Sequence, residues 1–230
     1  VIDDIDPAYP LVGVLHLAGV LSDALVAEMS EERLHHVLAP KVEGAWNLHR
    51  LTEHNALRAF VLFSSVGGLL GNPGQSNYAI ANNFLDALAA HRRRTGLCAT
   101  SLAWGPWADD GMAAQLDANE LARMKRTGMT MLSVEQAVDL FDRALVGPHS
   151  TVMVANFDTK LLQRQVNEGF APPAFLQALV QQSSTGPAAG ASTALRQRLS
   201  ALPEAEREAV LLETVRADVA HVLGLASSAD

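Results

Sequence analysis

Four apolar runs of strand length alternate with helical stretches along this chain, and this alternation constrains the fold more than any other feature. The runs are Leu11–Leu17, Ala59–Phe63, Cys98–Trp104 and Thr151–Phe157. Continuous apolar strands that are separated by helices are typical of a parallel sheet covered on both faces. The sequence therefore predicts an α/β fold with a parallel sheet.

The stretches between the runs have the spacing and end signals of helices. Helical periodicity extends from Ser30 to His54, and Pro40 is expected to kink or split this helix. A strong helix is predicted from Gln75 to Arg94, with Gly96 as its stop, after a Gly-rich loop over Gly67–Gly74. Two further helices are predicted, a short one over Ala118–Thr127 and one from a capping box at Ser133 and Gln136 to Leu145.

Composition and charge argue against several classes of protein. The net charge of -8 disfavours a broad nucleic-acid surface, and the basic cluster Arg92–Arg94 is interpreted as cations at a helix C-terminus. No apolar stretch of about 18 residues is present, so no membrane span is expected. Cys98 is the only cysteine, which excludes an intrachain disulfide and favours a reducing, cytoplasmic setting.

Several polar or glycine-containing segments are expected to meet at one edge of the sheet. Tyr78 and Asn82 are four residues apart, so they share a helix face near the start of that helix. Ligands of open parallel sheets bind beyond the carboxyl ends of the strands. Three predicted strands end there in the segments His16–Gly19, Ser64–Ser65 and Gly105–Trp107.

The chemistry that suits these residues is reduction of a ketone. Hydride transfer to the carbonyl carbon leaves charge on the oxygen, and the Tyr78 hydroxyl can protonate it. Its ordinary pKa near 10 makes it a slow acid, and a neighbouring ammonium would lower that pKa. Lys41 is the lysine in a suitable motif, Ser65 can hold the carbonyl oxygen, and Asn82 can position the lysine or a water. Taken singly, each of the four is an ordinary packing, cap or surface residue.

Four motifs in order carry a family resemblance: VLHLAGV, LAPKVEGAW, FVLFSSVGGLLGNPGQSNYAIANNFLDALAAHRR and SLAWGPW. Together they resemble the ketoreductase domain of a modular polyketide synthase, which belongs to the short-chain dehydrogenase/reductase superfamily. The resemblance covers about Leu11 to Phe157 and implies a Rossmann-like, doubly wound sheet. In the common pattern of this superfamily, a lysine lies four residues after the tyrosine. Here Asn82 has that position and Lys41 lies upstream, as in the polyketide enzymes.

The resemblance implies a role for each site residue. Tyr78 would donate the proton, Ser65 would orient the carbonyl, Lys41 would lower the tyrosine pKa and contact the nicotinamide ribose, and Asn82 would complete the relay. The implied cofactor is NADPH, and the segment from Trp107 to about Met131 resembles a mobile lid. The expected cofactor-binding set is His16, Ala18, Gly19, Lys41, Ser64, Tyr78, Gly105 and Pro106.

A further family signature concerns the configuration of the product. Enzymes that give the D-configured β-hydroxyl carry Leu-Asp-Asp after the HxAGV motif, and this chain has Leu21-Ser22-Asp23. The opposite class has a Trp eight residues before the tyrosine, where this chain has Leu70. We therefore expect a D-configured product, with Leu21, Asp23 and Trp107 near the substrate.

The ends of the chain shape the expected domain organisation. No G-x-G-x-x-G nucleotide-binding segment precedes Leu11, so residues 1–181 are expected to be a ketoreductase domain without its N-terminal nucleotide-binding part. Residues 182–193 are predicted to be a flexible linker. Residues 194–230 resemble the beginning of a helical acyl carrier protein. The 230 residues alone are therefore expected to bind NADPH weakly and to reduce little.

Three other interpretations stay open from the sequence. The domain could be a catalytically silent structural part of a polyketide synthase, or a free-standing fatty-acid-type reductase. The expected partners of an active ketoreductase are an acyl carrier protein with a phosphopantetheine-tethered β-ketoacyl chain and other domains of the same synthase, and neither nucleic acid nor membrane. The Gly67–Gly74 loop could also be read as a phosphate loop, but it lacks the full glycine pattern. The histidines are too scattered to predict a metal site.

Overall fold

A computed structural model describes residues 2, 4–108, 124, 127–168, 176–177, 180, 199–200 and 202–223. The strands are β1 (Gly13–His16), β2 (Ala59–Ser65), β3 (Thr100–Trp104), β4 (Met129–Thr130), β5 (Thr151–Val154) and β6 (Asn156–Phe157). The helices are α1 (Glu31–Leu38), α2 (Gly44–Thr52), α3 (Val66–Leu70), α4 (Ser76–Arg94), α5 (Val134–Leu145), α6 (Thr159–Asn167) and α7 (Glu204–Leu223).

The chain divides into two compact units. The first combines residues 1–111 with 131–156, and the second combines residues 112–130 with 157–230. The expected division at residues 181 and 193 stays a prediction, because the linker over 182–193 lies outside the described residues. The predicted helix over Ala118–Thr127 and most of the expected lid also lie outside them.

The first unit is built on a four-stranded parallel sheet in the order β1-β2-β3-β5. Alternate residues of β2 serve opposite faces: Phe60 and Leu62 belong to one buried cluster with residues of α2 and α4, and Val61 belongs to another with residues of α5. Apolar residues on both faces of one strand require cover on both sides. The predicted α/β fold with a parallel, doubly covered sheet is therefore confirmed.

Pro40 changes the helix in which it lies, as predicted. Residues 39–43 form a π-helical turn between α1 and α2, and the Gly44 N–H donates to the Ala39 carbonyl. Proline has no N–H to give to the carbonyl four residues earlier, so the regular ladder cannot continue through it. This turn also carries Lys41.

The ends of the four predicted strands and one loop differ from the prediction, and β3 begins at Thr100 and not at Cys98. β1 is shorter than the run Leu11–Leu17, because only Gly13–His16 pairs with β2. β2 extends through Ser65, which pairs with Trp104. The run Thr151–Phe157 is interrupted at Ala155, where the Val154 carbonyl accepts from the Gly105 N–H at 2.8 Å.

The predicted loop over Gly67–Gly74 is helical in its first half. The Ser65 hydroxyl caps α3 by accepting from the Gly67 N–H at 3.1 Å. The helix ends at Gly71, whose φ of 71° suits a glycine, and Gly74 has a φ of 80°. A capping serine thus outweighs the low helix propensity of two glycines.

Two predicted helices have the expected ends, and α6 is a further helix, besides α3, that the sequence does not predict. α4 follows Gln75 and ends at Arg94, and Ser133 with Gln136 forms the predicted capping box of α5. α6 was not predicted, although Asp158 caps it by accepting from the Leu161 N–H at 2.9 Å. Within the described part of the chain, no helix combines the length and apolar character needed to cross a bilayer.

Candidate active site

The N-terminal half of α4 places Tyr78 and Asn82 side by side in the interior. Tyr78 is 6% exposed and Asn82 is fully buried. The Asn82 Nδ2 donates to the Tyr78 carbonyl at 2.8 Å, which fixes the amide along the helix axis. The Asn77 Oδ1 accepts from the Tyr78 N–H at 2.8 Å, so the start of the helix is held as well.

The π-helical turn directs Lys41 into the same interior. Its ammonium donates to the Phe63 carbonyl of β2 at 2.8 Å and lies 5.5 Å from the centroid of the Tyr78 ring. The residue is 2% exposed. Burial lowers the pKa of Lys41 to about 8, and the Asp86 carboxylate partly offsets that effect.

The two serines at the end of β2 complete the group. The Ser64 hydroxyl is buried and donates to the Asn82 carbonyl at 3.3 Å. Ser65 lies beside Tyr78, because its side chain hydrogen-bonds the phenol hydroxyl. Its hydroxyl also caps α3. The structure therefore brings together Lys41, Ser65, Tyr78 and Asn82, the four residues singled out in the sequence.

The Tyr78 hydroxyl is held mainly in its neutral form. Burial raises its pKa above the usual value near 10, and the nearby Asp23 charge raises it further. Hydrogen bonding with the Ser65 and Asn82 side chains opposes this rise in pKa. A neutral phenol with neighbours that favour its anion can release a proton when charge develops beside it. Lowering of the pKa by Lys41 stays a prediction.

Two of the expected cofactor-binding residues lie against the Lys41 turn. A Cβ on Gly19 would come within 2.9 Å of the Lys41 Cε, so the chain at Gly19 passes directly beside the lysine stem. His16 is buried and close to Gly44, and burial together with the Lys41 charge lowers its pKa. The adjacent Ala18 is exposed.

The remaining expected residues lie at the end of β3. The Gly105 N–H donates to Val154, and the Pro106 carbonyl accepts from Leu132 at 2.8 Å. The Trp107 ring packs at 5.0 Å from the Trp104 ring, as part of the cluster that α5 covers. Contact of Trp107 with substrate stays a prediction.

Unsatisfied polar groups show that this interior fits a hydroxyl-bearing ligand. The Asn82 Oδ1 is buried without a hydrogen-bond partner among the described residues. The Lys41 ammonium has three N–H donors, and one of them is used by Phe63. Buried polar groups are normally satisfied, so a ligand or water is expected to complete them. The ribose of a nicotinamide nucleotide offers hydroxyls of the required kind, and Lys41 and Asn82 would hold it.

The Leu21–Asp23 segment is tied to the start of α4. The Asp23 Oδ2 accepts from the Gln75 Nε2 at 2.8 Å, and the Ser22 carbonyl accepts from Asn77 at 2.9 Å. Leu21 packs on the cluster that contains Tyr78. The segment that the sequence associated with product configuration therefore contacts the helix of the candidate proton donor.

Three residues that contact the site were not found in the sequence analysis. Gln75 and Asn77 anchor the Leu21–Asp23 segment, and both lie within three residues of Tyr78. Asp86 lies eight residues after Tyr78 on the same helix, close enough to Lys41 to affect its pKa. A search for acids and amides at helical spacings from Tyr78 would have found Asp86.

A parallel sheet with a buried Tyr, Lys and Asn and a half-buried Ser at one end of its strands defines a reductase-like α/β protein. Residues 1–109 match the model of the KR domain family. This match confirms the resemblance to the ketoreductase domain of a polyketide synthase that the sequence predicts.

Relatives and solved structures agree with this match. The chain is 48% identical over 217 residues to the spectinabilin polyketide synthase system protein NorB of Streptomyces orinoci, covering 94% of this chain and 10% of that protein. It is 44% identical over 233 residues to the mycoketide-CoA synthase of Mycobacterium tuberculosis, covering 99% of this chain and 6% of that protein. The chain thus spans a tenth or less of these two relatives.

Two solved structures have the same fold over most of the chain. An A1-type ketoreductase gives a TM-score of 0.66 at 35% identity, covering 78% of this chain and 37% of that one. The first ketoreductase of the tylosin PKS gives a TM-score of 0.61 at 43% identity, covering 70% of this chain and 35% of that one.

Proposed function

We propose that this chain carries the catalytic residues for NADPH-dependent reduction of a β-ketoacyl thioester to a β-hydroxyacyl thioester. The substrate would be tethered to the phosphopantetheine of an acyl carrier protein during polyketide chain extension. The observation that carries this proposal is that the Lys41 ammonium lies over the buried Tyr78 ring. The Ser65 and Asn82 side chains hydrogen-bond the Tyr78 hydroxyl. The name of NorB supports it, since NorB is a protein of a polyketide synthase system.

Each side chain has one task in the proposed reaction. The nicotinamide, when bound, supplies the hydride that reduces the ketone carbon. The Ser65 hydroxyl hydrogen-bonds the carbonyl oxygen and fixes its position. The Tyr78 hydroxyl gives its proton to that oxygen, and the Lys41 ammonium stabilises the phenolate that remains. Asn82 holds the first turns of α4 and offers its free Oδ1 to the group that re-protonates Tyr78.

The proposed product is D-configured. Support comes from Leu21 and Asp23, which keep two of the three signature positions and are anchored to the start of α4 through Gln75. A fixed segment beside the proton donor can restrict which face of the ketone meets the hydride. The proposed partners are the carrier protein and further domains of a polyketide synthase.

The experiment is a turnover assay of the protein with its natural flanking sequence. The substrate is a β-ketoacyl thioester mimic, with NADPH or NADH as reductant, and the product is resolved by chiral chromatography. We expect the D-configured alcohol and faster turnover with NADPH. Absence of reduction in a folded protein would instead favour the catalytically silent alternative.

A further inference from the structure

A half-buried acid lies behind the candidate site, and the proposed reaction does not use it. Asp86 follows Tyr78 and Asn82 on α4 at spacings of four residues, so the three share one side of the helix. This side faces the sheet, where charged residues are rarely found unless they are paired. A charged side chain at the position of Asp86 therefore needs a structural or functional explanation.

Hydroxyl groups from two neighbouring strands surround the Asp86 carboxyl. The Ser101 hydroxyl of β3, which is fully buried, donates to the Asp86 Oδ1 at 2.5 Å. The Ser64 hydroxyl of β2 favours the charged form of the same carboxyl. The Ser64 hydroxyl has one proton, and both the Asp86 carboxylate and the Asn82 carbonyl can accept it. A hydrogen bond to a charged acceptor is the stronger of the two.

The second carboxyl oxygen has no such donor. The Asp86 Oδ2 is buried and makes no hydrogen bond to any described residue. An unpaired, buried carboxylate oxygen is costly, and a nearby cation lowers that cost. Lys41 is the cation that acts on Asp86, and it opposes the rise in pKa that burial causes in this carboxyl.

Among the ionisable groups that face Lys41 in the described part of the chain, Asp86 is the one that supplies negative charge. Three ionisable residues face Lys41 in the described part of the chain: His16 from β1, and Tyr78 and Asp86 from α4. Burial and the lysine charge itself favour neutral His16, and Tyr78 is neutral. Glu43, on the same turn as Lys41, is exposed to solvent.

We infer that Asp86 is a positioning residue for Lys41: with the buried Ser64 and Ser101 hydroxyls it forms a carboxylate–hydroxyl cluster whose negative charge keeps the lysine protonated beside Tyr78. Asp86 does not touch the reacting atoms and acts through Lys41. The inference rests on the proposed function for its meaning in catalysis, but the charge relation itself can be measured without turnover.

The test is an NMR titration of the full chain with lysine labelled at ¹³Cε. The sequence has three lysines, at positions 41, 125 and 160, and the Lys41 signal is the one lost in Lys41→Arg. In the parent chain its midpoint is expected near pH 8. In Asp86→Asn the midpoint should fall by about one pH unit, because the opposite charge is gone. The control Asp139→Asn removes an exposed acid of α5 and should leave the midpoint unchanged.

Each possible change in the Lys41 midpoint either supports or rejects the inference. A lower midpoint in Asp86→Asn, with the control unchanged, supports the inference, and an unchanged midpoint in a folded Asp86→Asn protein overturns it. Should Asp86→Asn lose its dispersed amide spectrum, Asp86→Ser decides: it removes the same negative charge with a smaller side chain, so the Lys41 midpoint should again fall. An unchanged Lys41 midpoint there rejects the inference. Failure of the proposed function would instead appear as absent turnover with the Lys41 shift intact.

Discussion

The Lys41 ammonium lies 5.5 Å from the centroid of the Tyr78 ring, although the two residues come from different helices. Lys41 reaches this place from the π-helical turn at Pro40, and Tyr78 from the first turn of α4. Both are buried, so the charge of the lysine is poorly screened by solvent.

The charge of Lys41 predicts how reduction depends on pH. Its pKa is lowered to about 8, so the ammonium is present below that pH and lost above it. We expect kcat/KM for ketone reduction to fall about tenfold per pH unit above pH 8. In Lys41→Arg this fall should disappear, even if the rate is lower, because a guanidinium keeps its charge. A parent profile that stays flat to high pH would contradict this role of Lys41.

The bond between Asp23 and Gln75 predicts an effect on product configuration. In Asp23→Ala the 2.8 Å bond to Gln75 is lost, and the Leu21–Asp23 segment is freed from α4. A bond to a charged group is worth about 1.5–3 kcal/mol, so the ratio of the two alcohols should change by about tenfold or more. Asp23→Asn keeps an acceptor for Gln75 and should change the ratio less. Chiral chromatography measures both, and equal ratios in all three proteins would rule out this role.

Arg92 is predicted to stabilise the fold without affecting chemistry. It is 1% exposed, donates to the Cys98 carbonyl at 3.1 Å, lies 3.0 Å from the His49 Nδ1 and stacks 3.8 Å above the Phe60 ring. Arg92→Ala should lower the free energy of unfolding by about 2–4 kcal/mol. The exposed neighbour Arg94→Ala should change it by less than about 0.5 kcal/mol. Denaturant unfolding compares them, and equal stabilities would show that Arg92 is not a core residue.

The sequence predicts the site residues better than their surroundings. Tyr78 and Asn82 could be paired from helical spacing alone, because four residues make about one turn. Lys41 could be joined to them only through the motif resemblance, since the sequence does not show that the turn at Pro40 points inward. Asp86 was missed because an acid in a helix is usually on the solvent side.

The ends of elements depend on contacts that a sequence pattern does not contain. β1 stops where β2 no longer pairs with it, and the last run breaks at Ala155 beside Gly105. The cluster Arg92–Arg94 was read as cations at the negative end of a helix, and it does end α4. Arg92 is nonetheless buried, and Arg93 donates to the Ala99 carbonyl, so these two are held by the next strand. Such tertiary bonds are invisible in the sequence.

The proton donor is tested most directly by comparing the two tyrosines of the chain. Tyr78→Phe removes the buried hydroxyl, and Tyr9→Phe removes one from a side chain whose residue is 79% exposed. We expect Tyr78→Phe to lower kcat for β-ketoacyl thioester reduction by at least about 10²-fold, with the fold retained. Tyr9→Phe should match the parent. A folded Tyr78→Phe protein with near-parental kcat would contradict the assignment of Tyr78 as the proton donor.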